Sequence, residues 1–172
     1  MDFLELVKQR KSVRSYDPSR KVTKEVLARI LEAGRFAPSA TNNQPWEFLL
    51  ISSDNMLEKI RSCYKAAWFQ SAPHVLIVKG TRSKAWVRSA DGYNALETDL
   101  AIAMDHMILA ATSEGVSTCW IAAFDPVRLS AVLNLEDDEA VFAITPLGYP
   151  EQEGDGTRTK KRKPFDQVVT YL

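Results

Sequence analysis

The stretch at residues 95–111 leaves this chain few ways to fold. Twelve of its seventeen residues are apolar: Ala95, Leu96, Leu100, Ala101, Ile102, Ala103, Met104, Met107, Ile108, Leu109, Ala110 and Ala111. At helical spacing they cover most of the girth, which predicts a helix buried on several sides. Glu97, Asp99 and Asp105 argue against a simple membrane span, and no apolar run reaches the roughly 20 residues that a span needs. Gly115 is expected just past the helix end, at C′. A chain of 172 residues has little material with which to surround such a helix. One way to cover it is to pack it on a second subunit.

Around that helix the pattern is helices first, then strands mixed with helices. Phe3, Leu4, Leu6 and Val7 form a short apolar helical stripe that gives out at a basic segment. Thr23 fits the N-cap of a helix to about Phe36, with Val26, Leu27, Ile30, Leu31 and Ala33 at helical spacing. Asp54 and Asn55 open another, carrying Met56, Leu57 and Ile60. Asp125 followed by Pro126 reads as an N-cap with proline at N1, for a helix to about Leu133. Residues 46–53, 74–78, 117–123 and 140–147 read as strands. Residues 80–92 are polar around Trp86 and read as a loop or mobile flap, and 151–159 as an exposed arm. The expectation is one α+β domain over residues 1–172, its sheet covered by helices on both faces.

Lysine plus arginine and aspartate plus glutamate balance at 22 each. No global field then draws the protein to nucleic acid or a membrane, and any anion site must be local. Cys63 and Cys119 form no CxxC pair, and with His74 and His106 they make no metal-ligand spacing, so all four are read as structural and no metal is expected. The charged N-terminus carries no signal-peptide pattern, and a reduced, cytoplasmic protein is the expectation. There is no GxGxxG, no GxxxxGK[ST] and no GxSxG, which removes the Rossmann, P-loop and serine-hydrolase readings.

Two segments carry chemistry. Arg10, Ser12 and Arg14 alternate across Lys11 and Val13, so an extended backbone projects them to one side. Arginine's planar fork matches phosphate and serine adds a neutral donor. A second basic run, residues 160–163, could converge on the same anion. The other segment, residues 37–46, strings Ser39, Thr41, Asn42, Asn43 and Gln44 between Pro38 and Pro45, and could read the polar edge of a heterocycle. Both also read as solvated charge and an ordinary turn.

These segments resemble the FMN-dependent nitroreductase family. Residues 10–14 are similar to its RxSxR-type segment, and 37–46 (APSATNNQPW) to its A-P-S-x-x-N-x-Q-P-W loop. Residues 114–121 resemble the stretch before its flavin-contacting turn. Gly148-Tyr149-Pro150 with Lys160-x-Arg162-x-Pro164 resembles its C-terminal signature. The resemblance implies a mixed central sheet in an intertwined homodimer, with residues 95–111 at the interface and the C-terminal tail reaching across. It implies FMN held at the phosphate by Arg10, Ser12, Lys160 and Arg162, with Lys11 in the same segment and Arg14 at the N1/C2 edge. Pro38, Ser39, Ala40 and Asn42 would come from the second subunit, the backbone near Ala122 and Ala123 would face N5 and the C4 carbonyl, and Gln44 and Ile121 beside them are further cofactor-binding candidates. NAD(P)H would donate hydride, and nitroaromatics, quinones or similar electron-poor acceptors would take it in a ping-pong cycle without a catalytic side chain. Enone reduction, dehalogenation, flavin processing or flavin binding with little turnover are alternatives on the same fold. Longer members carry a glutamate where this chain has Ala122, and residues 80–92 leave little room for the helices that roof their substrate pocket.

Overall fold

The computed structural model describes residues 2–151 and 160–172. Five helices run as α1 (Phe3–Gln9), α2 (Lys24–Arg35), α3 (Asp54–Arg61), α4 (Leu96–Ser113) and α5 (Pro126–Leu133). Four strands, β1 (Trp46–Ile51), β2 (His74–Thr81), β3 (Ser117–Thr118) and β4 (Glu139–Gly148), form one sheet in the order β1-β2-β4-β3. Every pairing of these strands is antiparallel. The expected mixed sheet is therefore corrected: the one parallel pairing among the described residues is an isolated bridge from Ser12 to Thr118, outside the named strands.

Alternation along the strands sends successive side chains to opposite faces. In β2, Leu76 and Val78 join a core with Leu27 and Ile30 of α2 and Leu100, Met104 and Met107 of α4. Val75 and Ile77, one residue out of phase, join a second core with Leu57 and Ile60 of α3 and Leu129 of α5. Helices thus cover both faces, as the apolar runs of β2 and β4 require.

The helix boundaries follow local chemistry. Thr23 caps α2 by accepting from the Val26 N–H, and Asp125 caps α5 by accepting from the Arg128 N–H at 3.0 Å. At the end of α4, Gly115 takes φ +71. Its N–H donates to Thr112 O at 3.1 Å, while the Val116 N–H donates to Ala111 O at 2.8 Å. This is a Schellman termination, and it turns the chain straight into β3.

Two sequence expectations change. Residues 80–92 are not one loop: Gly80 and Thr81 finish β2. Gly80 is a strand glycine because a Cβ there would sit 2.6 Å from Pro45 O and 2.7 Å from Leu96 Cδ1. The remainder is tied, with Arg88 N–H donating to Tyr93 O, Gly92 N–H to Arg88 O and Ala95 N–H to Trp86 O, each at 2.9 Å. The strand expected over residues 117–123 keeps only two residues in the ladder. At Cys119 the N–H turns to Thr145 Oγ1 (3.1 Å), and contact with β4 resumes only as a bridge from Ile121 to Ile144. The expected arm at 151–159 lies, beyond Glu151, outside the described residues.

Candidate functional site

The basic segment leaves α1 as extended backbone along the sheet edge. Arg10 closes α1 with its N–H on Leu6 O, Ser12 bridges Thr118, and the Val13 N–H donates to Thr118 O at 2.9 Å. Tyr16, 1% exposed, anchors the far end by donating its hydroxyl to Val13 O at 2.8 Å. Burial pushes its phenol far above the usual tyrosine range. Between the anchors Lys11, Ser12 and Arg14 are exposed while Arg10 and Val13 are half-buried, so exposure along the segment does not follow strict alternation.

The second basic run comes back to the first. Lys160 Nζ donates to Val7 O at 2.6 Å, across 153 residues of sequence. Partial burial, then the charges of Arg10 and Arg162, hold its amine below the usual lysine value. These three cations thus come close enough for Lys160 to feel both arginines. None of them forms an ion pair among the described residues. Such a gathering is unfavourable by itself and suits an anion with several acceptor oxygens. The donor set fits a phosphate group: two guanidinium forks, one ammonium and the Ser12 hydroxyl.

Arg14 lies 5.9 Å over the Trp68 ring. Behind it lies buried Cys119. Burial pushes that thiol up, and Arg14, Ser12 and Arg10 pull it part of the way back. Ile121 is buried, whereas Ala122 and Ala123 are exposed, and their backbone N–H groups donate to no described residue. They are open donors on the same run of chain that pairs with Ser12.

The polar loop is built differently. Ser39 leads into a single 3-10 turn, Ala40–Asn42, in which Thr41 takes φ 52 and Asn42 φ 59, and Gln44 follows at φ 50. Left-handed conformations cost L-residues about 1–2 kcal/mol each and need outside support. The Gln44 N–H donates to Ser39 Oγ (2.9 Å), Gln44 Nε2 to Asn42 O (3.1 Å) and the Ala40 N–H to Asp99 Oδ1 (2.9 Å). Pro38, Asn42 and Gln44 stay exposed, with Ser39 and Ala40 half-buried. Sequence reasoning missed Asp99 as an anchor of this loop. Its signal was a carboxylate in register with Leu96, Ala103 and Met107 on the buried stripe of α4.

Within one chain these two groups of residues do not meet. The loop is anchored on the first turn of α4, through Asp99. The basic segment is anchored on β3, beyond the last turn. From Asp99 to Ser113 the helix axis alone spans roughly 20 Å, at about 1.5 Å per residue. No described helix is long and apolar enough to cross a membrane.

Comparison with known proteins places this architecture. A family model described as "Nitroreductase family" matches residues 7–63 and 57–149. A nitroreductase family protein from Clostridium difficile 630 superposes with a TM-score of 0.90 at 34% identity, over 99% of this chain and 98% of that one. A Thermus thermophilus protein named NADH dehydrogenase is 28% identical over 195 residues, which is 95% of this chain and 92% of its own length. A Desulfovibrio desulfuricans protein solved in complex with FMN shares the fold, with a TM-score of 0.80 at 24% identity over 98% of this chain and 95% of that one.

Proposed function

From the premise that the chain belongs to the nitroreductase family, we propose that it is an FMN-dependent oxidoreductase that takes hydride from NAD(P)H and reduces electron-poor acceptors such as nitroaromatics and quinones. The observation that carries the reading is the convergence of Arg10, Lys160 and Arg162 from the two ends of the chain, without an acidic partner among the described residues. These three and Ser12 would hold the FMN phosphate, with Lys11 adding charge beside them. Arg14, held over Trp68, would set positive charge at the pyrimidine edge, where it favours the reduced, anionic ring. The open N–H groups of Ala122 and Ala123, following Ile121, would face the N5 and C4 carbonyl edge.

Pro38, Ser39, Ala40, Asn42 and Gln44 would complete the site from a second copy. The distance between the two anchors along α4 supports this arrangement. A second chain laid antiparallel along α4 brings the loop of each copy to the basic segment of the other. Ala101, Ile102, Leu109 and Ala110 on α4 are only half-buried in one chain. In the tail, Phe165, Val168 and Tyr171 are 67%, 62% and 86% exposed. Both surfaces suit a homodimer interface.

Bound FMN would supply the two-electron chemistry, accepting hydride from the nicotinamide and passing it to the acceptor that replaces it. The chain's own part is to bind, orient and bias the ring electrostatically, so no side chain is assigned as general acid or base. Visible absorption spectra of the purified protein, before and after anaerobic NADPH and then NADH, test the proposal. Flavin bands that bleach are the expected result. Absence of flavin bands after incubation with FMN would refute the cofactor, and bands that persist with both donors would refute the nicotinamide half.

A further inference from the structure

Asp99 is 2% exposed, and only one of its two carboxylate oxygens has a partner. Oδ1 accepts from the Ala40 N–H at 2.9 Å, and Oδ2 has none. Its neighbours on the buried face of α4 are Leu96, Leu100 and Ala103. Burying a carboxylate with an unsatisfied oxygen is unfavourable, and an apolar residue of similar size would suit this core better. The group is therefore poorly explained by stability.

What it does reach is the loop. Three of the four residues 41–44 are Thr41, Asn42 and Gln44, each left-handed and none a glycine. The other bonds that hold this turn, Ser39 Oγ with Gln44 N, Gln44 Nε2 with Asn42 O and Thr41 Oγ1 with Asn43 Oδ1, lie within the turn itself and move with it. Among the side-chain bonds of residues 39–44, the one to Asp99 alone ties the loop to a helix of the core. We propose that Asp99 is a positioning residue for the flavin site: from inside α4 it fixes the strained turn at residues 39–44 in the conformation that contacts FMN. The inference rests on the FMN reading above and deepens it.

The test is FMN titration of the full-length wild-type protein and of the Asp99→Leu, Asp99→Ala and Asp99→Asn variants, read by flavin fluorescence and by visible circular dichroism. Asp99→Leu keeps the volume and removes the acceptor. Asp99→Asn keeps an acceptor oxygen for the Ala40 N–H. The expected result is a Kd raised tenfold or more in Asp99→Leu and Asp99→Ala, with an altered flavin dichroism, and a Kd within about threefold of wild type in Asp99→Asn. A purely structural role would instead make Asp99→Leu equal to or better than Asp99→Asn, and that order would overturn the proposal. Should the leucine and alanine variants fail to fold, hydrogen exchange at the Ala40 amide of the FMN-free wild type decides. Protection supports the tether, and exchange at the rate of an open loop overturns it. A wild-type protein that binds no FMN would overturn the underlying cofactor reading and this inference with it, whereas wild-type binding matched by Asp99→Leu would overturn this inference alone.

Discussion

Replacing Arg10 with alanine should move ligand affinity and stability of the FMN-free protein in opposite directions. Arg10 ends α1 through its backbone N–H on Leu6 O, which alanine retains. Its guanidinium has no ion-pair partner among the described residues, and its charge adds to burial, the larger cause, in holding the Lys160 amine below the usual value. Losing it removes a repulsion, and at a site this open the gain is under about 1 kcal/mol. Toward a phosphate the sign reverses. A charge-assisted hydrogen bond contributes about 1.5–3 kcal/mol, so FMN affinity should fall roughly ten- to hundredfold. Arg162→Ala on top should lose less than a second such factor, because under the proposed assignment the two cations would share one phosphate and their effects would couple. FMN titration by fluorescence quenching, alongside thermal melting of the FMN-free protein, reads both quantities. Raising salt should narrow the gap between wild type and variant, since part of the attraction is screened. A folded double variant that binds FMN as wild type does would sink the phosphate assignment. An FMN-free Arg10→Ala destabilised by more than about 1 kcal/mol would mean that the arginine has a structural partner after all.

Three other expectations follow from features away from the phosphate cluster. His74 accepts the Val22 N–H at Nε2 (3.2 Å) and meets Ser52 Oγ at Nδ1 (2.8 Å); burial first, then the charge of Lys21, holds its pKa below the usual 6.5. The unfolded chain then binds the proton first, so this stability is complete above about pH 6.5 and is lost as pH falls through the folded value, by at most about 1.4 kcal/mol per unit; urea unfolding from pH 5 to 8 should show a slope that His74→Gln flattens, and equal slopes would refute it. Gly115→Ala meets no steric obstacle but forces φ +71 on an L-residue, and should cost about 1–2 kcal/mol in thermal melting; an unchanged melting point would count against the Schellman end of α4. Sedimentation should find a dimer, and a folded, flavin-loaded monomer would exclude the shared site.

The parts of the fold that local chemistry fixes were legible in the sequence. Thr23, Asp125 with Pro126, and Gly115 mark helix ends because capping and left-handed turns act over a few residues. The apolar runs of β2 and β4 predicted a sheet buried on both faces. Strand direction was not legible, since a buried run reads the same in a parallel or an antiparallel pair. The length of β3 depends on Thr145, a side chain on another strand, and Gly80 on Pro45 and Leu96; both are long-range contacts that periodicity does not carry. For the site, Arg10, Ser12 and Arg14 could be placed by alternation, but the meeting of Arg10 with Lys160 required the folded chain. Asp99 entered the sequence argument only as a charge against a membrane span. Its tie to Ala40 came from geometry.

The bridge between Ser12 and Thr118 gives the basic segment a second duty. β3 is the last named strand on its side of the sheet and only two residues long, and residues 12–13 lie along it, with the Val13 N–H on Thr118 O. Backbone that would otherwise offer itself to another sheet is occupied there by the chain's own N-terminal segment. A lesion that frees this segment, by proteolysis after α1 or by proline at Val13, would then cause two failures at once. The protein would lose the arginines proposed to bind the anion and would uncover a strand edge able to pair with other molecules. Cofactor loss and self-association would rise together, linked by one stretch of extended backbone.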